Sequence, residues 1–328
     1  MTYNNSRHKY GISEKGSVIE NLIGAGDKAP EDSNALYSSG NYNAVIPAGF
    51  TVSATENSIE NGLVVIDGTS KQNEWVWIPT SSEDLLKMYV EDGTGWTMLG
   101  TSGVNTKLKT RSLTQVEETA TGMILRLGSR TLARTNPGLT ASPYFREPDV
   151  LSLYDTDQDY RTQAGFGDLT DMAKKLKDDY KDMIDSVKEN KGFYIGRYEL
   201  GKDEDNNPQV KSGAVMNETN WYKLYSACKS FSSRNAQARM IWGCQWDQVC
   251  RYISTLGENK VSSLDNSQSY GNYNNSIKSV DKSGSNNFNN TTGRSNDWKT
   301  NNIYDLAGNC WEWTQEVYDA GRRAYRGR

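Results

Sequence analysis

Apolar residues first gather in this chain at about Tyr42, and they gather in short runs. Residues 44–47 (Ala-Val-Ile-Pro), 50–53 (Phe-Thr-Val-Ser), 63–66 (Leu-Val-Val-Ile) and 75–78 (Trp-Val-Trp-Ile) are rich in β-branched and aromatic side chains, which suit pleated backbone. Gly49, Asn61-Gly62 and Asp67-Gly68 punctuate them as turn residues. The spacing predicts a β-meander. A different period follows. Leu169, Met172, Ala173, Leu176, Tyr180, Met183, Ile184 and Val187 recur at three- and four-residue steps, with Lys and Asp between them. That pattern predicts one long amphipathic helix. Asp168 or Thr170 is placed to cap it, and Gly192 to stop it.

Residues 193–200 (Phe-Tyr-Ile-Gly-Arg-Tyr-Glu-Leu) then read as a strand. Two further helices are predicted where Trp221, Leu224, Tyr225 and Cys228 share one face, and where Trp246, Val249, Cys250 and Ile253 share another. Within 80–165 the pattern is irregular. Residues 85–90 read as a short helix and 123–127 as a strand, among Thr-, Ser- and Gly-rich text broken by Pro137, Pro143 and Pro148. So long an irregular stretch marks a functional loop or an insertion. Residues 262–297 are a low-complexity stretch rich in Asn, Ser, Gly and Tyr, too polar to pack, and are expected as a surface loop. Residues 1–35 read as a polar tail or linker with at most one short helix, and 36–328 as one domain.

Composition narrows the chemistry. The chain has 328 residues and a net charge of -4, with a mean hydropathy of -0.76. The charge balance argues against nucleic-acid binding, which shows a basic excess. No apolar run approaches the roughly 18 residues of a membrane span, and the N-terminal text lacks the pattern of a secretory signal. There is one histidine, His8, in the polar tail, so a Ser-His-Asp triad or a His-rich zinc site has nothing to build on. The four cysteines, Cys228, Cys244, Cys250 and Cys310, form no C-x-x-C pair and read as buried free thiols. The run Asp155-Thr156-Asp157-Gln158-Asp159 has the opening of a calcium loop, but Tyr160 and Phe166 stand where that loop needs Gly and Glu.

The segment Asn302-Ile303-Tyr304-Asp305-Leu306-Ala307-Gly308-Asn309-Cys310-Trp311-Glu312-Trp313-Thr314 resembles the signature of the formylglycine-generating-enzyme, or sulfatase-modifying-factor, superfamily, roughly Gly-Leu-Tyr-Asp-Met-x-Gly-Asn-Val-Trp-Glu-Trp. Three other pieces agree in order. Residues 193–200 resemble the family's Phe-Tyr-Ile-x-x-Tyr-Glu-Val strand, residues 241–247 its Pro-Thr-x-Ala-Glu-Trp-Glu helix start, and residues 74–79 its Val-Trp-Ile-Pro strand. The resemblance implies an α+β, C-type-lectin-like fold with a small antiparallel β core, two or three helices and extensive irregular loops. Nine Trp and nineteen Tyr suit a fold whose loops are anchored by buried aromatics. Trp311 and Trp313, alternating around Glu312, are expected on one side of a strand, in the core.

Three activities sit on that family's fold. Oxidation of a sulfatase cysteine to formylglycine needs a copper-binding cysteine pair beyond the Trp-Glu-Trp motif, and no cysteine follows Cys310. Cys244 and Cys250 lie on another element and on different helix faces. Oxidative sulfur transfer relies on histidine ligands that this sequence lacks. Ligand display, including variable proteins diversified by retroelements in phages and bacteria, needs no catalytic residue. The expectation is therefore a non-enzymatic binding or display protein on a phage particle or cell surface, with a protein or glycan as ligand. The alternative is an oxidase or sulfur-transfer enzyme cut before its catalytic cysteine segment, because the family normally continues into further strands where this sequence reads Tyr325-Arg326-Gly327-Arg328. Missing closing strands imply self-association or a strand-donating subunit. The candidate ligand-binding residues are Trp298, Tyr318, Arg322 and Tyr325. The family often holds calcium at the Gly-Asn turn, which here implies Asp305, the carbonyl of Ala307, and Asn309.

Overall fold

A computed structural model describes residues 21–85, 158–216, 220–233, 236–262, 264, 267–272, 291–319 and 322–327, with the backbone of short strands within 11–19 and 87–143. It is an α+β arrangement of small antiparallel sheets with five α-helices among the described residues. The hairpin of β1 (Ala35–Ser39) and β2 (Tyr42–Ile46) precedes a four-stranded sheet. That sheet contains β3 (Thr51–Val52), β4 (Val64–Ile66), β5 (Glu74–Pro79) and β6 (Gly192–Gly196), in the spatial order β6-β5-β4-β3. Three of its strands are the meander read from sequence. The fourth comes from the far side of the long helix.

The apolar runs have no polar alternation because both faces of this sheet are covered. Val64, Val76, Ile78 and Phe193 face the helices and belong to the larger core. Val52, Val65 and Trp77 face the β1–β2 hairpin and form a second core with Ala35, Ala44 and Ile46. Residues 21–34, read above with the polar tail, run against this second core. Ala29 is buried there, and Leu22 bridges to Leu36.

The helices are α1 (Ser82–Leu85), α2 (Gln158–Gln163), α3 (Leu169–Asn190), α4 (Trp221–Lys229) and α5 (Gly243–Thr255). The periodic stripe of α3 is the buried face: Met172, Leu176, Tyr180, Met183 and Val187 are all at most 2% exposed. Each such side chain contributes about 1.5–3 kcal/mol of burial. Asp168 caps the helix by accepting the Asp171 N–H at 2.8 Å. The stop differs from the expectation. Lys191, not Gly192, takes the left-handed conformation (φ 61), and its N–H returns to the Val187 carbonyl. Gly192 already belongs to β6, where a Cβ would clash with the Trp77 ring and sit 2.7 Å from the Ile78 carbonyl oxygen. Close packing demands that glycine, not the turn.

Asn220 caps α4 through the N–H groups of Tyr222 and Lys223. Trp242 starts α5, where Gln245 reaches back to accept its N–H at 3.2 Å. The helix expected over 85–90 is instead the end of α1 followed by the strand Lys87–Glu91. Tyr89 and Val90 favour pleated backbone there. The strand read at 123–127 is present as Gly122–Leu127, and residues 151–157 lie outside the described residues. No helix among the described residues is long and apolar enough to cross a membrane.

Candidate functional site around the Gly-Asn turn

The signature segment opens with a short hairpin, β7 (Lys299–Thr300) with β8 (Ile303–Tyr304), and closes with a longer one, β9 (Glu312–Asp319) with β10 (Arg322–Arg326). Between them the chain turns on three positive-φ residues, Asp305, Gly308 and Asn309. Asp and Asn tolerate that region better than most side chains. Gly308 has a further reason, since a Cβ there would lie 2.8 Å from the Asn272 backbone nitrogen.

Asp305 is wholly buried. Its carboxylate accepts from the Thr292 hydroxyl at 2.9 Å, the Gly293 N–H at 2.8 Å and the Asn272 side-chain amide at 3.3 Å. The Asn272 backbone donates to the Ala307 carbonyl at 2.8 Å and accepts from the Asn309 N–H at 2.9 Å. Gly308 donates to the Gly327 carbonyl, which ties the end of the second hairpin to the turn. Tyr270, Asn272 and Thr292 are buried. The 262–297 segment, expected as too polar to pack, therefore packs at both ends, because its polar groups satisfy a buried carboxylate. Residues 273–290 lie outside the described residues.

Glu199 arrives from the chain beyond β6. Arg197, ion-paired with Glu56 and Glu74 and lying over the rings of Tyr198 and Tyr304, holds that chain in place. Glu199 accepts from the Asn309 side-chain amide and from the Cys310 N–H at 3.0 Å. Burial first, and then Asp305, raises its pKa well above the usual carboxylate range. Glu312 is raised likewise, by burial and then by Glu199. These two acids retain a proton between them at pH values where free carboxylates are ionised. We place that proton on Glu312, whose Oε2 has no hydrogen-bond partner, because Glu199 has two donors favouring its charged form.

A sign follows for stability. The unfolded chain loses this proton in the ordinary carboxylate range and the folded chain loses it higher. Between the two the folded state binds more protons, so its stability falls as pH rises through that window. Glu312→Gln removes the titration. Its melting temperature, measured in chelator, is expected to exceed the parent's by about 2–4 °C near pH 7 and to match it near pH 4. A difference that ignores pH would contradict the assignment.

Burial, then Glu199, Glu312 and Asp305, push the Cys310 thiol up to about 12. A thiol so placed carries almost no thiolate near neutrality. Cys228 is also lifted to about 12 by burial, and none of the four cysteines is in a disulfide.

Of the residues expected to hold calcium, Asp305 and Ala307 are engaged in hydrogen bonds within the turn. Both oxygens of Asp305 already accept hydrogen bonds, and so does the Ala307 carbonyl. Of the three, Asn309 alone offers an oxygen, Oδ1, with no donor. Among the described residues no group of three or more His, Cys, Asp or Glu is arranged to hold a metal ion.

Trp298 is 3% exposed and supports the turn from below, its carbonyl accepting the Asp305 N–H at 3.0 Å. It is a core residue, not a ligand contact. Trp311 precedes β9 and is 45% exposed, so the two motif tryptophans do not share a buried face. Trp313 is the one that packs against the core. Tyr318, Arg322 and Tyr325 all stand on the β9–β10 ribbon, Tyr318 and Arg322 near its turn, where Asp319 pairs with Arg322, and Tyr325 farther along, opposite Trp313. The partners that sequence reading missed are Asn272 and Thr292. Nothing local distinguishes them from the other Asn and Thr residues of the polar segment.

No family model matches the chain, and no curated protein or solved structure matches it either.

Proposed function

We propose that the chain is a non-enzymatic ligand-binding or display module with a C-type-lectin-like fold of the formylglycine-generating-enzyme kind. In this reading it is carried on a phage particle or cell surface, and its ligand is a protein or a glycan. One observation carries the reading. The signature turn is tied up with its own support: Asp305 and Glu199 accept hydrogen bonds from neighbouring amide and N–H groups, and its thiol is held at about 12. Such a turn serves as a clamp for the ribbon that follows. Tyr and Arg are what recognition surfaces favour, and Tyr318, Arg322 and Tyr325 stand on this ribbon.

The test is binding of the labelled full chain to glycan and protein arrays, repeated with Tyr318→Ala, Arg322→Ala and Tyr325→Ala. Loss of signal by about tenfold or more, at unchanged melting temperature, is the expected result. Array binding insensitive to all three substitutions would remove the ribbon from the ligand site.

A further inference from the structure

A cleft of about 1030 Å³ lies beside β6, and on the helix side of the sheet it is let into the core. Phe193 and Ile195 line it from β6, Leu224 from α4, Ile241 and Trp246 from either side of the α5 start, and Trp313 from β9. All six belong to the larger core or pack against it. The size is that of a small-molecule site, and so is a wall of aliphatic and aromatic side chains.

Charge reaches the same cleft from α3. The buried stripe of that helix contributes Met183 and Val187, and its adjoining flank contributes Asp182, Ser186 and Glu189. Asp182 is exposed and Glu189 is half-buried, so the two carboxylates stand at the outer edge of the apolar wall. Arg239 also lines the cleft, but its guanidinium is engaged. Its Nε lies 3.4 Å from Asp179, and its Nη2 donates to the Gln237 side chain at 2.9 Å. The charge that these side chains hold out to a ligand is negative.

We propose that this cleft is a second binding site, for an organic amine that carries its ammonium group on an aromatic or alkyl body. The body displaces water from Phe193, Ile195 and Ile241, and the ammonium meets Asp182 and Glu189. The rings of Phe193, Trp246 and Trp313 favour a cation within about 6 Å as well. A carboxylate ligand would meet like charge at the same edge, and a neutral one would gain nothing from it. The site uses none of Tyr318, Arg322 and Tyr325, so it stands or falls apart from the ligand reading above.

Tryptamine is the probe, titrated into the full chain by calorimetry beside indole-3-propionate, which carries a carboxylate on the same ring and spacer. Tryptamine should bind more tightly than indole-3-propionate by about tenfold or more. The near-isosteric pair Asp182→Asn/Glu189→Gln should weaken tryptamine about tenfold at unchanged melting temperature. Ile241→Trp, which fills the cleft, should abolish binding in a protein that still melts cooperatively. No binding of tryptamine to the parent overturns the proposal. So does equal binding of the two ligands, which would be apolar partition alone. Tryptamine binding untouched by Asp182→Asn/Glu189→Gln, or retained by folded Ile241→Trp, would place the amine elsewhere and overturn it too. If Ile241→Trp fails to fold, the carboxylate pair decides.

Discussion

Asp305→Ala is expected to cost the folded chain about 3–5 kcal/mol, because it strands three donors at once, two of them on buried residues. Those donors are the Thr292 hydroxyl, the Gly293 N–H and the Asn272 amide. Thr292 and Asn272 are buried, and the Gly293 N–H is half-buried. Removal of the acceptor also frees the left-handed turn that Asp305 occupies at φ 55. Asp305→Asn should cost less, since one oxygen remains to accept while the new amide opposes the Asn272 amide. Urea denaturation of the three proteins measures the differences. A cost below about 1 kcal/mol for the alanine variant would mean that the turn is held by the hairpins and not by this carboxylate.

Trp242→Ala should be as severe, about 3–5 kcal/mol. Trp242 is fully buried, meets Tyr180 edge-on with ring centroids 5.0 Å apart, and starts α5. Its loss opens a cavity between α3 and α5 where neither helix can easily close in. Trp311→Ala is the control of the same chemistry at a 45% exposed position, expected within about 0.5 kcal/mol of the parent. Equal effects of the two would undo the assignment of core and surface around the signature.

These two predictions also mark what was readable in the sequence. The meander and helices α3, α4 and α5 were legible because period and burial coincide there: Met172, Leu176, Tyr180, Met183 and Val187 form both the sequence stripe and the buried face. The end of α3 was not. Gly192 invites the reading of a helix stop, yet its role is to let Trp77 approach, a contact that depends on how β5 and β6 pair. The signature residues Asp305 and Asn309 were visible as a turn, but their partners were not. Asn272 lies 33 positions from Asp305, and Glu199 lies 110 from Asn309. A polar tract reads as solvated whether or not its ends are enlisted by a buried acid elsewhere. Trp311 and Trp313 failed for a smaller reason: alternation implies a shared face only inside a strand, and β9 begins at Glu312.

The claim at the centre is that the signature turn is a support and not a reaction centre. Its most direct measurement is mass spectrometry of a sulfatase-type cysteine peptide after incubation with the full chain and copper. With Cys310 held at about 12, the peptide is expected to keep its thiol at the level of a protein-free control. Formylglycine accumulating above that control, in proportion to the chain added, would contradict the claim.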